Sequence, residues 1–412
     1  MIEAIKSRIL VFRGVLFAQI LFLVFTFFYI SVHGRLPQPF QNVLSDTFMD
    51  FFNTNWWAYN SNRYLEWKST YPPLIFSLAK IFVPKKCIGG GGGAALRECS
   101  VYVLYFFIPI YAYAAYLSVK IINKLNSLTL KRDQLVVAMA ILISMPFLYT
   151  MERMNDLILS YIFLCLYLLK HEGFLKYLFF GIAVNIKPYL LVLAITHFIR
   201  GHPKRFAYCL ISSLVFFFIG KLILKDESSI FFISNMFNFG KNLPTPFHAI
   251  NFQTTFHAIL SFLTDVAKIE GPFVYLKYLI YLVPILAFAL IGGRIKKLKD
   301  IELDFLLLLS MLFSISSLGG YSVIFLIPFF SLCMKNNFKI FLLLASLLIP
   351  LDFVIYQDYS IGFERSYISA GLVNNGLIIT TGALLRPAII GIMMVFYVGH
   401  IRRDGSLPNL RA

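Results

Sequence analysis

Residues 14–32 read GVLFAQILFLVFTFFYISV, and no side chain in this stretch carries a charge. A helix rises about 1.5 Å per residue, so the run is long enough to cross the hydrocarbon core of a bilayer, which is about 30 Å thick. The segment before it is basic, with Lys6, Arg8 and Arg13, and no small-residue cleavage site follows it. These features indicate an uncleaved first membrane helix rather than a signal peptide.

The composition of the whole chain extends this conclusion. Hydrophobic residues make up 59% of the 412 residues and charged residues only 14%, which is far from a soluble domain and indicates a polytopic membrane protein. A net charge of +17 would suggest nucleic-acid binding in a soluble protein. Here the Lys and Arg residues lie mostly in short gaps between apolar runs, as in cytoplasmic loops, so we expect no nucleic-acid partner.

The apolar runs predict an all-α transmembrane bundle, a single integral membrane domain over residues 1–412 with both termini in the cytoplasm. The segment 72–83 is too short to span and is typical of an interfacial or re-entrant helix. Residues 174–199 are basic at both ends and interrupted by Asn185-Ile186-Lys187-Pro188, which predicts a re-entrant hairpin that turns at Lys187-Pro188. We expect about ten crossings, near residues 10–32, 100–120, 134–150, 156–170, 206–224, 273–292, 303–318, 321–334, 340–355 and 376–399.

The first region outside the membrane, residues 33–99, is the strongest candidate for a catalytic site. Asp46 and Asp50 are four residues apart and would share a helix face with Asn53. The aromatic and polar side chains that follow suit the stacking faces and hydroxyls of sugars. Those in the candidate site are Trp56, Trp57, Tyr59, Arg63, Glu66 and Tyr71. The alternative is an interfacial aromatic belt with a helix-capping aspartate.

A second polar cluster, Met151-Glu152-Arg153-Met154-Asn155-Asp156, lies between two apolar runs at the outer end. Arg153 can bind a phosphate or pair with Glu152 or Asp50, and Asn155 or Asp156 can cap the next helix. A capped tight turn with a local ion pair is the simpler interpretation. Lys187 is a third candidate, because a lysine in an apolar hairpin must face a cavity, bind an anion such as a lipid phosphate, or snorkel to the interface.

Two further outer features leave alternatives open. Cys87 and Cys99 flank a glycine run, where either a disulfide or two thiols are compatible with the sequence. The second outer region, residues 225–272, can form part of an acceptor site or a structural cap. Its His248 and His257 lack a metal-binding spacing with nearby carboxylates, so we predict no metal site.

The order of these motifs resembles the GT-C membrane glycosyltransferases. The resemblance is to family 87 enzymes and, more loosely, to the phage-borne serotype-converting glucosyltransferases that modify the O-antigen of lipopolysaccharide. It rests on an ordered set that covers most of the chain: Asp50-Phe51, Tyr71-Pro72-Pro73, Glu152-Arg153-Met154-Asn155, Asn185-Ile186-Lys187-Pro188 and Gly320-Tyr321. The chain departs from the family pattern at Met154, where a glycine is common.

This resemblance implies a hexosyltransferase of the bacterial inner membrane with its active site facing the periplasm. The donor would be a sugar, such as glucose, on a polyprenyl phosphate such as undecaprenyl phosphate. The acceptor would be a cell-envelope glycan or glycolipid, and no cofactor would be required. Asp50 would be the catalytic base, while Lys187 and Arg153 would bind the donor phosphate. The other candidate residues, Asp46 and Glu66 among them, would bind substrate.

Such residues fit a single displacement with inversion, in which a carboxylate takes the acceptor proton and cations stabilise the departing phosphate. The main alternative is a lipid-linked oligosaccharide flippase or a polysaccharide polymerase. Those proteins tend to place several basic residues within their helices, whereas only Lys187 and Lys221 are clearly intramembrane here. A solute transporter is disfavoured because the two halves of the chain show no repeat.

Overall fold

The computed structural model describes residues 2–40, 47–83, 85–88, 92–126, 130–238, 254–263, 273–315, 318–358, 363–365, 372–374 and 377–404. Its architecture is helical, as the sequence predicts. In chain order the α-helices are α1 (Ile2–His33), α2 (Met49–Ala58), α3 (Pro73–Phe82), α4 (Gly92–Ser100), α5 (Leu104–Asn126), α6 (Lys131–Leu142), α7 (Met145–Arg153), α8 (Leu157–Leu169), α9 (Phe174–Val184), α10 (Ala194–Ile199), α11 (Pro203–Leu224), α12 (Phe231–Asn238), α13 (Phe256–Ser261), α14 (Phe273–Ile291), α15 (Asp300–Ser314), α16 (Phe330–Asn336), α17 (Phe338–Ser346) and α18 (Thr381–Asp404).

Four helical segments in the described residues are long and apolar enough to cross a membrane: Ile5–His33, Gly92–Lys124, Pro203–Leu224 and Thr381–Arg403. The pair α6 and α7, bent by 47°, adds a fifth if it is one broken span. Two other predicted crossings, 156–170 and 321–334, fall on the shorter apolar helices Leu157–Leu169 and Gly320–Met334. Proline and polar residues interrupt these runs, and short helices reach across a bilayer only in combination. The predicted helical membrane class is confirmed.

Segments of 3-10 helix connect or extend several α-helices. They cover Lys85–Cys87, Val101–Val103, Pro188–Leu193, Glu227–Ile230, Gly292–Lys297 and Gly320–Phe329. Four short strands were not expected in an all-α chain: β1 (Val354–Asp358), β2 (Phe363–Arg365), β3 (Leu372–Asn374) and β4 (Leu377–Thr380). β1 pairs antiparallel with β4, and β2 with β3, so strand pairing occurs between α17 and α18.

Helix α11 packs against α3 and α9, two of the helices near the candidate site. Gly220 lets the start of α3 approach so closely that a Cβ atom at this position would lie 2.3 Å from the Leu74 nitrogen. The Ser77 hydroxyl donates hydrogen bonds to the Gly220 and Pro73 carbonyl oxygens, at 3.1 and 3.2 Å. Gly181 of α9 also lies close to α11, because a Cβ atom there would lie 2.8 Å from the Ser212 carbonyl group. Small residues thus bring α3 and α9 into backbone contact with one long helix.

The interrupted segment predicted as a hairpin has a helix break at the expected residues. α9 ends at Val184, and Lys187 is extended, with φ −130° and ψ 96°, because the following proline disfavours the helical conformation. The Asn185 amide donates to the carbonyl oxygens of Gly181 and Ser213, at 2.9 and 2.8 Å. Asn185 therefore ends one helix and ties it to α11. The direction of the segment through the membrane stays a prediction.

A disulfide joins Cys87 and Cys99, which resolves the alternative that the sequence left open. It connects the 3-10 turn Lys85–Cys87 to α4. α4 packs against α2, and Gly93 makes the closest approach: a Cβ atom there would lie 2.3 Å from the Asn53 side-chain oxygen. The bond thereby holds α4 beside the helix that carries Asp50.

Candidate active site

Asp50 lies in the first turn of α2. Its carboxylate forms an ion pair and a hydrogen bond with two residues at the end of α7. Its Oδ1 pairs with the Arg153 guanidinium, and its Oδ2 accepts a hydrogen bond of 2.6 Å from the Asn155 amide. The side chains of Asp50 and Arg153 are 18% and 12% exposed. The ion pair is therefore largely desolvated, but a small part of it stays accessible to a ligand. Two donors on different oxygens fix the plane of the carboxylate.

The turn after α7 places both partners of Asp50. Met154 adopts the left-handed conformation, with φ 49° and ψ 43°, which costs about 1 kcal/mol for a residue with a side chain. A glycine at this position would adopt the same conformation without that cost. Asn155 follows, and its Oδ1 accepts a 2.9 Å hydrogen bond from the Leu157 N–H. Of the two residues that could cap α8 through a side chain, Asn155 does so.

A second buried charge pair lies beside the first. Asp156 and Lys187 are 5% and 6% exposed and interact electrostatically, and Asp50 acts on both. Burial raises the pKa of the Asp156 carboxyl above its usual range, although the Lys187 ammonium opposes this shift. The Lys187 ammonium lies 4.7 Å from the centroid of the Tyr71 ring, within the range of a cation–π contact. The predicted phosphate-binding lysine is thus buried against a carboxylate and an aromatic face.

Tyrosines that the sequence did not assign to the site complete its wall. Tyr321, at the start of the 3-10 helix Gly320–Phe329, interacts electrostatically with Asp50 and Arg153, and its ring lies 5.5 Å from that of Tyr149. Tyr189, two residues after Lys187, interacts electrostatically with Tyr321. Tyr321 had a signal, since Gly320-Tyr321 is one of the ordered motifs. Tyr149 and Tyr189 had none beyond being polar aromatics in apolar runs.

Other predicted site residues make contacts within the outer layer. Arg63 pairs with Asp226 and donates to the carbonyl oxygens of Trp57 and Ala58, at 2.8 and 3.1 Å. The Tyr59 hydroxyl donates to the Val83 carbonyl oxygen at 3.0 Å. Trp56 stacks on Trp67 with ring centroids 4.4 Å apart, and Trp57 lies 5.8 Å from the same ring.

The four remaining candidates differ in position. Glu66 accepts a hydrogen bond of 3.3 Å from the Asn62 amide. Glu152 is buried, and its carbonyl oxygen accepts from the Phe48 N–H at 2.8 Å. Asn53 faces Gly93. Asp46 lies outside the described residues. The sugar-binding roles of all these residues stay predictions.

The arrangement defines a class of protein: a helical membrane protein with a buried site of two carboxylates and two cations, walled by tyrosines. Within the described ranges, no three His, Cys, Asp or Glu side chains are grouped so that they could hold a metal ion. Such a site can take a proton on one carboxylate while an adjacent cation stabilises an anion.

The chain belongs to glycosyltransferase family 87, whose model matches residues 70–318. The match spans more than half of the chain and includes Tyr71, the 152–156 cluster and Lys187, and the protein is therefore a membrane glycosyltransferase. Asp50 and Tyr321 lie outside the matched residues, so their place in the site rests on geometry. No curated protein and no solved structure matches the chain.

Proposed function

We propose that the protein transfers a hexose, such as glucose, from a polyprenyl-phosphate donor to a cell-envelope glycan or lipid-linked acceptor, with inversion. The observation that carries this proposal is the pair of adjacent charge clusters. Asp50 is oriented by Arg153 and Asn155, and the buried Lys187 ammonium lies beside it. Family 87 membership supports sugar transfer, and the apolar helices around the site support a donor carried on a lipid.

The reaction uses these groups in one concerted step. The acceptor hydroxyl gives its proton to Asp50 while its oxygen bonds to the anomeric carbon of the sugar. The bond between that carbon and the phosphate oxygen breaks, and its electron pair leaves with the polyprenyl phosphate. Lys187 and Arg153 stabilise the charge that develops on this phosphate. Attack opposite to the leaving group inverts the anomeric configuration.

We place this chemistry at the periplasmic face of the inner membrane. The Cys87–Cys99 disulfide supports this assignment, because such bonds form and persist in oxidising compartments. The disulfide is anchored on α4, which packs against α2. It therefore lies on the same side of the protein as Asp50. The acceptor in this proposal can be O-antigen, in which case the reaction would change the serotype. The resemblance to the serotype-converting glucosyltransferases supports this version.

The test is sugar transfer by purified protein in lipid nanodiscs, from radiolabelled polyprenyl-phosphate glucose to a glycolipid or lipopolysaccharide acceptor. Asp50→Asn is expected to lower kcat by about 10²- to 10⁴-fold, the range that a positioned base contributes. The matched control is Asp352→Asn, which removes the carboxylate of another buried pair, Asp352 with Arg386. Equal activity of folded Asp50→Asn and wild-type protein would remove Asp50 from the mechanism. Equal losses in both variants would indicate a folding effect only.

A further inference from the structure

A cavity of about 490 Å³ lies between α1 and α5, next to the candidate active site. Leu23 and Thr26 of α1 and Leu104 and Ile108 of α5 form much of its wall, and Phe48, Glu152 and Met154 form its end toward α2 and α7. Its volume falls in the range of cavities that bind small molecules, roughly 300–1,000 Å³. Since Phe48 directly precedes α2 and Met154 directly follows Arg153, the inner end of the cavity is adjacent to the residues that hold Asp50.

The cavity opens toward the bilayer. Val101, Tyr105 and Ile108 line it and are 53%, 74% and 63% exposed. Tyr105 and Ile108 lie on α5, and all three are part of the apolar segment Gly92–Lys124, which is long enough to cross a membrane. Apolar side chains exposed on such a segment face lipid chains rather than water. The exposed side of this cavity is therefore suited to the entry of a molecule from the membrane.

The lining of the cavity also includes two buried polar side chains, Tyr111 on α5 and Thr26 on α1. Tyr111 and Thr26 are more than nine-tenths buried. Among the residues that the structure describes, neither the Tyr111 hydroxyl nor Thr26 Oγ1 has a hydrogen-bond partner. A buried hydroxyl without a partner costs about 1–3 kcal/mol, so both atoms are suited to bonding a ligand. The Tyr111 hydroxyl interacts electrostatically with the carboxylates of Asp156, Asp50 and Glu152.

The charge around Tyr111 selects the kind of ligand. The carboxylates of Asp156, Asp50 and Glu152 all act electrostatically on the Tyr111 hydroxyl, so an anionic phosphate bound to that hydroxyl would be repelled. A neutral head with several hydroxyls can instead donate to a carboxylate and exchange hydrogen bonds with Tyr111 and Thr26. The cation that suits a phosphate, Lys187, is part of the neighbouring cluster with Asp156 and Tyr71.

We propose that the α1–α5 cavity binds the acceptor as a lipid, with its aliphatic chain between the two helices and a neutral, hydroxylated head against Tyr111, Thr26 and Glu152. The identification of this lipid as the acceptor rests on the proposed function. The binding of a lipid in the cavity does not depend on that function. A head held there presents its hydroxyls toward Asp50. The donor phosphate and the acceptor head thus occupy separate, oppositely charged sides of one site.

The test is photolabelling in nanodiscs with a decyl glucoside whose chain carries a diazirine. Mass spectrometry should find the label on α1 and α5. Unlabelled decyl glucoside should compete with it, and decyl phosphate should compete at least about tenfold less well. Stronger competition by decyl phosphate would overturn the proposal, since the cavity would then take the anionic lipid. Label spread over all lipid-facing helices would also overturn it.

Variants separate the head from the chain. Tyr111→Phe should weaken competition by decyl glucoside about 3- to 10-fold, as expected for one hydrogen bond, whereas Tyr113→Phe on the same helix should not. Leu104→Trp fills the cavity and should abolish labelling. The control Leu222→Trp changes a residue that is 74% exposed on α11. Labelling needs neither donor nor turnover. Failure of the cavity proposal and failure of the proposed sugar transfer can therefore be distinguished.

Discussion

The Asn155 amide donates a 2.6 Å hydrogen bond to Asp50, although 105 residues separate them in the chain. The same side chain accepts from the Leu157 N–H at the start of α8. One amide therefore both begins a helix and orients the proposed base. The side-chain NH2 group contacts Asp50 and the side-chain oxygen contacts Leu157. Substitutions at Asn155 can therefore remove one contact and keep the other.

Asn155→Ala removes both contacts. We expect it to lower the free energy of unfolding by about 1–2 kcal/mol through the lost cap, and kcat by about 10- to 100-fold through the lost orientation of Asp50, with little change in KM. Asn155→Asp keeps an acceptor for Leu157 but has no donor for Asp50. It should retain most of the stability and lose the activity. Wild-type kcat in Asn155→Asp would show that the contact to Asp50 is not used.

The buried pair of Asp156 and Lys187 predicts a pH dependence of donor binding. Burial raises the pKa of Asp156 above the usual range of a carboxyl, so lowering the pH from about 8 toward the acid range protonates this group before an exposed carboxylate and removes a negative charge beside Lys187. A polyprenyl-phosphate sugar, which keeps one charge over this range, should bind more tightly at the lower pH, by up to about tenfold per unit. Titration of nanodisc-embedded protein measures this.

The control for that titration is Asp156→Asn, which should bind donor tightly across this pH range. Binding by the wild-type protein that weakens as the pH falls would contradict the pairing of the two residues.

Lys187→Met should abolish donor binding, because it removes the cation proposed to hold the phosphate. It should also lower the free energy of unfolding by about 1–3 kcal/mol, since Asp156 would stay buried without its partner or take up a proton. The double variant with Asp156→Asn should regain stability but not binding. Recovery of both in the double variant would mean that Lys187 only neutralises Asp156. Thermal unfolding and donor titration distinguish these results.

The Cys87–Cys99 bond closes a short loop, with 12 residues of sequence separation. Changing both to serine should lower the free energy of unfolding by about 2–3 kcal/mol, and reducing agent should have no further effect on that variant. In cells, both cysteines should react with a maleimide only after reduction. Ready reaction without reductant would place the loop, and Asp50 with it, in a reducing compartment.

Local features of the site could be read from the sequence. The break between α9 and the following 3-10 helix falls at Asn185 to Lys187 because Pro188 acts on its own neighbours, and α3 begins at Pro73 because proline fits the first turn of a helix. The helical membrane class followed from the lengths of the apolar runs.

The pairings could not be read in this way. Arg153 had three candidate partners in the sequence, and the choice of Asp50 depends on how α2 and α7 meet in space. The contact of Lys187 with Tyr71 and the bond between Cys87 and Cys99 likewise depend on packing. The strands β1 to β4 were missed because the segment after α17 was interpreted as apolar helix and loop, while their stability comes from pairing between distant residues.

The close approach of Gly220 to α3 has a mechanical consequence. No side chain separates the two backbones, and Ser77 joins them by a hydrogen bond, so α3 must tilt together with α11. A spanning helix tilts to match the thickness of its bilayer, and Tyr71 is attached to α3 through Pro72 alone. A change in bilayer thickness that tilts α11 is therefore expected to move α3, and with it the Tyr71 ring that contacts Lys187.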